Sequence, residues 1–132
     1  MTMTDPIADL FTRIRNAGIA RHSKVDIPHS VLKEQVVDLL VREGYLHEKQ
    51  VTEVAGRKRI RAYLKLDRDG HTIIERLERM SKPGRRLYHQ ARAIPKVLRG
   101  MGVGIYSTSR GILSDADCRE QQVGGEYMGR IW

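Results

Sequence analysis

Within its first 66 residues this chain switches three times between a helical and a strand spacing of apolar side chains, so both kinds of element must share one small fold. Asp5 followed by Pro6 reads as a cap and first helical position, and Ile7, Leu10, Phe11 and Ile14 then recur on one helical face. Gly18 ends that helix. Val25 and Ile27 alternate with polar residues before Pro28, the pattern of a short strand. Ser30 caps a second helix carrying Leu32, Val36, Leu39 and Leu40 to a stop at Gly44. Tyr45 to Val54 and Ile60 to Leu66 then read as a strand pair around Ala55-Gly56. The order helix, strand, helix, strand, strand predicts an α+β fold.

Asp67-Arg68-Asp69-Gly70 is a turn, and 73–80 fits a strand better than a helix. Ser81-Lys82-Pro83-Gly84-Arg85-Arg86 continues neither element, because Pro83 removes a donor and restricts Lys82. A domain junction is expected there, dividing the chain into an N-terminal α/β domain, 1–78, packed on a mostly β C-terminal domain, 79–132. In the second part Pro95 opens a single helical turn ending near Gly100. Val103 to Tyr106 and Ile112-Leu113 read as short strands flanking the turn Ser107-Thr108-Ser109-Arg110-Gly111. Ser114 and Asp117 form a capping box for a short helix that Gly124-Gly125 stops, and Tyr127 to Trp132 alternates as a final strand. At 132 residues the chain can bury a core as one or two small domains and cannot house a large multidomain enzyme.

Charge is distributed unevenly along this pattern. The stretch 79–114 holds eight Lys or Arg and no acid, while the remaining sixteen basic residues are matched by sixteen acidic ones, so the net +8 belongs to that window. A neutral body with one basic patch attracts a polyanion, which binds by releasing condensed counterions. Nucleic acid is the expected partner. Lys82, Arg85 and Arg86 surround the rigid corner Pro83-Gly84 and suit phosphate contacts, which position a nucleic acid without reading its sequence. The hydroxyls of Ser107, Thr108 and Ser109 can reach base edges, 2′-hydroxyls and phosphates, with Arg110 adding charge. Ser and Thr are also ordinary turn residues, and the acid-free surroundings favour binding. Tyr88 is open between stacking on a base and packing in the core. Aromatics are few, which favours folded RNA over a single strand threaded across a stacking platform. Arg13 and Asn16, away from the apolar stripe of the first helix, are candidates for a secondary contact.

Other chemistry finds little support. Gly100-Met101-Gly102-Val103-Gly104 is followed by an apolar strand, whereas a dinucleotide loop needs a helix there. The five histidines lack metal-ligand spacing, and most are expected at the surface. Cys118 stands alone, reads as a small core residue, and agrees with a reducing compartment. No general acid, base and oxyanion site come together, so neither an enzyme nor a cofactor is expected. No apolar run approaches the roughly 20 residues that span a bilayer, and the start of the chain lacks a signal-peptide pattern, so a cytosolic protein without a membrane partner is expected.

The same residues carry a resemblance. From Asp5-Pro6-Ile7-Ala8-Asp9 through Thr12-Arg13-Ile14-Arg15-Asn16 and Ser81-Lys82-Pro83-Gly84-Arg85-Arg86 to Ser107-Thr108-Ser109-Arg110-Gly111, Gly124-Gly125-Glu126 and Trp132, the chain resembles the bacterial ribosomal protein S eight family, the eighth protein of the small subunit. The resemblance implies a two-domain α+β protein that binds the central domain of 16S rRNA and helps organise the platform of the 30S subunit. It implies that the C-terminal domain grips an irregular RNA helix with the loop matched by residues 107–109, that Glu126 helps hold that site, and that Arg13, Arg15 and Asn16 add contacts. Ribosomal proteins S five and S twelve are the implied neighbours, and some members also bind their own messenger. The chain departs from the family at Val31, where a basic residue is usual, at Cys118, where Ala is usual, and at Gln122, which replaces a usual Gly or other short residue.

Two rival readings make specific demands of the sequence. A small RNA-modifying enzyme requires a cofactor loop or paired catalytic residues. A DNA-binding regulator requires a basic reading helix, yet 30–43 carries Lys33 and Arg42 against Glu34, Asp38 and Glu43.

Overall fold

Pro6 occupies a position whose N–H would have no helical partner, and Asp5 Oδ1 accepts from Ala8 N at 3.1 Å, so the first helix, α1 (Pro6–Ile19), starts there. It runs one residue past Gly18 and buries Ile7, Leu10, Phe11 and Ile14. The computed structural model describes residues 5–132. It divides into two units, an N-terminal one of Asp9–Ile74 and a C-terminal one in which Glu75–Trp132 is joined by the residues through Ala8. The divisions therefore fall between Ala8 and Asp9, within α1, and between Ile74 and Glu75. The segment expected to be a junction, 81–86, lies inside the C-terminal unit.

In the N-terminal unit, strands β1 (Lys24–Pro28), β2 (Leu46–Val54) and β3 (Arg57–Leu64) form an antiparallel sheet in the order β1-β3-β2. The central strand alternates as its sequence does. Ile60, Ala62 and Leu64 are buried, while Arg57, Arg59, Arg61 and Tyr63 stand on the other face. Helix α2 (Val31–Arg42) buries Val36, Val37, Leu39 and Leu40; Ser30 caps it by accepting from Lys33 N at 3.1 Å. The β2–β3 hairpin turns through Ala55 and Gly56, both at positive φ, as a two-residue turn matching the strand twist requires.

The C-terminal unit is built on a five-stranded antiparallel sheet. Strand β8 (Gly125–Ile131) pairs on one edge with β4 (Leu77–Arg79) and β5 (Tyr88–His89) and on the other with β6 (Val103–Thr108), which in turn pairs with β7 (Gly111–Ser114). Of the strand expected over 73–80, only Leu77–Arg79 forms a regular ladder on β8, although Met80 N also donates to Met128 O at 3.0 Å. Helix α3 (Asp115–Gln121) begins at the Ser114 cap, which accepts from Asp117 N at 3.0 Å. The helical turn expected after Pro95 is a 3-10 turn, Val97–Gly100, broken internally: Leu98 and Arg99 take left-handed backbone angles, with φ 46° and 57°. Below the sheet, Tyr106 and Tyr127 stack with ring centroids 4.8 Å apart and pack with Ile94 and Cys118.

Candidate nucleic-acid interface

Three facts about β8 place the site. Its partners across the sheet are fixed in register, so Tyr88, Glu126 and Ser107 are direct cross-strand neighbours in one row over β5, β8 and β6. Direct neighbours share a face, so this row lies opposite the face that carries Tyr106 and Tyr127. A β-bulge between Ile105 and Tyr106 shifts the register just before the row and sets which residues meet there. Tyr88, left open between core and surface by the sequence, is 65 % exposed and belongs to the surface.

Gly124 and Gly125 serve this arrangement rather than stopping α3. A Cβ on Gly124 would strike the His89 carbonyl oxygen, and one on Gly125 the Ser107 carbonyl oxygen, so both glycines are what allow β5 and β6 to flank β8 this closely. The helix is ended instead by Gln122, in the left-handed conformation at φ 57° and ψ 45°. That conformation is the reason a glycine suits the position.

The hydroxyl turn divides into two roles. Thr108 Oγ1 donates to Gly111 O at 2.8 Å and accepts from Arg110 N at 3.0 Å, so it closes the turn and is spent inside the protein. Gly111, at φ +95°, takes the left-handed position that follows. Ser107 lies in the cross-strand row and Ser109 at the exposed tip, and neither hydroxyl has a hydrogen-bond partner among the described residues. Arg110 is exposed beside Ser109 and reaches back with Nη1 to Gln121 Oε1 at 3.2 Å.

The corner at 82–85 is equally well defined. Lys82 N donates to Arg85 O and Arg85 N to Lys82 O, at 3.0 and 2.9 Å, which closes a tight hairpin over Pro83-Gly84. Ser81, fully buried, anchors this hairpin: its hydroxyl donates to Glu126 Oε2 at 2.6 Å and accepts from Leu87 N at 3.1 Å. Glu126 Oε2 also accepts from Arg86 Nη1 at 3.0 Å. The carboxylate of Glu126 thus couples the basic corner to the row that contains Ser107. Sequence reasoning missed Ser81, His89 and the role of Gly125. His89 shares a 2.8 Å hydrogen bond through Nδ1 with Tyr106 Oη and packs on both tyrosines, so it is a core support rather than a surface residue. Only strand alternation around Tyr88 would have signalled that.

Not every cation of the acid-free window is available. Arg79 has a side chain only 7 % exposed, pairs with Asp5 and donates to Met128 O at 2.6 Å, which makes it a structural residue. Lys82, Arg85, Arg92, Lys96 and Arg99 are exposed and have no carboxylate partner among the described residues. In the N-terminal unit Arg13, Arg15 and Asn16 are exposed on α1. Arg13 gives two of its five donors to Asp9 Oδ2 and Asp26 O, at 3.0 and 3.4 Å.

Groups suited to catalysis are held inert. Cys118 is buried, and desolvation pushes its thiol up to about 11, far from a thiolate nucleophile at neutral pH. Burial also raises the Tyr106 and Tyr127 phenols. Asp67, Asp69 and His71 bring three potential metal-ligating atoms together at the surface, but Asp67 Oδ1 already accepts from Asp69 N and His71 N and shapes a turn.

Comparison with known proteins gives a consistent picture. The family described as ribosomal protein S8 matches residues 5–132. The chain is 45 % identical to the small ribosomal subunit protein uS8 of Lysinibacillus sphaericus and 46 % identical to that of Exiguobacterium sibiricum, in both cases over the full length of the two chains.

Proposed function

The chain belongs to the ribosomal protein S8 family, and we propose from that premise that this structural, non-catalytic constituent of the small ribosomal subunit works by binding the central domain of 16S rRNA directly. It holds an RNA fold that helps organise the 30S platform, acts in the cytoplasm, and does so without turnover. The observation that carries the reading is the cross-strand row Tyr88, Glu126, Ser107, continued by the exposed Ser109-Arg110 tip and tied through Glu126 to the basic corner of Lys82, Arg85 and Arg86.

The parts have separate roles. Ser107 and Ser109 present hydroxyls that read base edges and 2′-hydroxyls, Tyr88 offers an exposed ring for stacking, and Lys82, Arg85, Arg86 and Arg110 meet phosphates. Pro83 stiffens the corner, and Thr108 and Glu126 hold the surface in shape. Residues 79–132 make the main grip, and Arg13, Arg15 and Asn16 on 1–78 add secondary contacts. From the family resemblance, ribosomal proteins S five and S twelve are its proposed neighbours, and the chain's own messenger is a second RNA to test. Chemical footprinting of the protein on a central-domain transcript tests the reading: protection should be confined to one irregular helical region and survive an excess of duplex DNA. Equal competition by duplex DNA would reject it.

A further inference from the structure

The N-terminal unit carries its own electropositive surface, masked in the sequence because its thirteen basic residues over 9–74 are interleaved with nine acidic ones. Pairing in the sheet sorts those charges by face. On the solvent face of β3 stand Arg57, Arg59 and Arg61, with Lys24 and Asp26 contributed by β1, whose register sets Asp26 opposite Arg61 and Pro28 opposite Arg59. The acid nearest the arginines is already neutralised, since Arg61 donates to both oxygens of Asp26, at 2.9 and 3.3 Å; the other acid of the face, Glu48, stands opposite Tyr63, four residues along β3 from Arg59. Arg57, Arg59 and Lys24 are exposed and without a carboxylate partner among the described residues. Arg13, Arg57, Lys58 and Arg59 also line a cleft of about 210 Å³ beside Asp26 and Pro28. The positive field is felt at Asp26, whose carboxyl is lowered first by its hydrogen bond from Arg61 and further by Arg59 and Lys24.

Resting on the RNA-binding reading above, we propose that this face of β3 is a second phosphate-binding surface, with Arg57 and Arg59 contacting the sugar-phosphate backbone of the same RNA independently of its sequence. Alternate residues of a strand are about 6.6–6.8 Å apart, so Arg57 and Arg59 leave β3 on one face at a spacing close to that of successive phosphates. Planar guanidinium forks suit phosphate oxygens better than point charges do. A protein partner fits less well, because the apolar side chains of the face, Val54 and Tyr63, lie at its two ends with the arginines between them, and interface cores are depleted of charge.

The experiment uses the full chain and a transcript of the 16S central domain. Arg57→Gln/Arg59→Gln should make the slope of log K against log salt shallower by about 1.4–1.8, while Arg57→Lys/Arg59→Lys, which keeps the charge, restores most of it. A Thr52→Cys variant places a thiol directly across from Arg59, and Cys118, being buried, does not compete for a tethered iron reagent. Hydroxyl radicals generated at position 52 should cut the bound RNA backbone. An unchanged slope with no cutting, while Ser109→Ala still weakens binding, would overturn this surface and leave the first reading standing. Loss of retention on polyglutamate by the Gln variant with RNA binding unchanged would assign the face to an acidic protein and overturn it too. If the unaltered chain fails to bind the transcript, the first reading falls and takes this one with it.

Discussion

Two neighbouring hydroxyls that look equivalent in the sequence have different work in the structure. Ser109 Oγ has no partner inside the described protein, whereas Thr108 Oγ1 makes two hydrogen bonds that close the turn. Ser109→Ala should therefore weaken binding of the cognate RNA by about 1 kcal/mol or more with an unchanged melting temperature. Thr108→Ala should lower both stability and binding, since it leaves the turn without its internal bonds. Filter binding paired with thermal melts separates the two, and a melting temperature lowered equally by both changes would contradict the assignment. Gln122 gives a second test, because its left-handed conformation costs a residue with a side chain roughly 1–2 kcal/mol. Gln122→Gly should raise stability by roughly 1 kcal/mol, or a few degrees in Tm, leaving RNA affinity alone.

At the scale of elements, caps and alternation were legible and pairing was not. Asp5-Pro6, Ser30 and Ser114 declared their helices because the cap chemistry is local. The alternation of Ile60, Ala62 and Leu64 declared β3 for the same reason. The row Tyr88, Glu126, Ser107 depends on register between strands 19 or more residues apart, set partly by a bulge, and no local signal carries it. The glycines at 124–125 look like a helix stop for the same reason: the backbones they admit come from β5 and β6. The Asp26–Arg61 bridge between β1 and β3 yields a pH prediction. Its hydrogen bond and field depress the folded-state carboxyl, so the stabilisation is complete above the unfolded value near pH 4 and is lost as pH falls through the lower folded one. Asp26→Asn, which resembles the protonated acid, should lower the urea midpoint at pH 6, and the gap from the unaltered chain should narrow progressively as pH falls below about 4. A gap that persists undiminished would mean that Asp26 stabilises through its shape and not its charge.

For the whole molecule the decisive quantity is how many phosphates it neutralises. Eight cations in the acid-free window overstate that number, because Arg79 is buried against Asp5, and Arg86 and Arg110, each sharing its guanidinium with a protein acceptor, neutralise a phosphate only in part. Five are exposed without a carboxylate partner among the described residues, namely Lys82, Arg85, Arg92, Lys96 and Arg99. Each phosphate neutralised contributes about −0.7 on single strands to −0.9 on duplex, so five give a slope of roughly −3.5 to −4.5 for log K against log salt. With Arg57 and Arg59 added the full chain should show roughly −5 to −6, and the double Gln variant should fall back to the five-phosphate range. Fragments are a poor substitute for these variants. A cut at residue 79 would strip from β8 the partners Leu77 and Glu78, the latter an ion-pair partner of Arg130, and would leave the buried Arg79 guanidinium without Asp5. An unpaired buried charge costs about 3–5 kcal/mol, too much for a unit of this size to absorb. Salt titration of the intact chain therefore weighs both surfaces at once: a slope near zero would remove the electrostatic basis for either, and one that stays at −4 in both proteins would leave the acid-free window as the only phosphate grip.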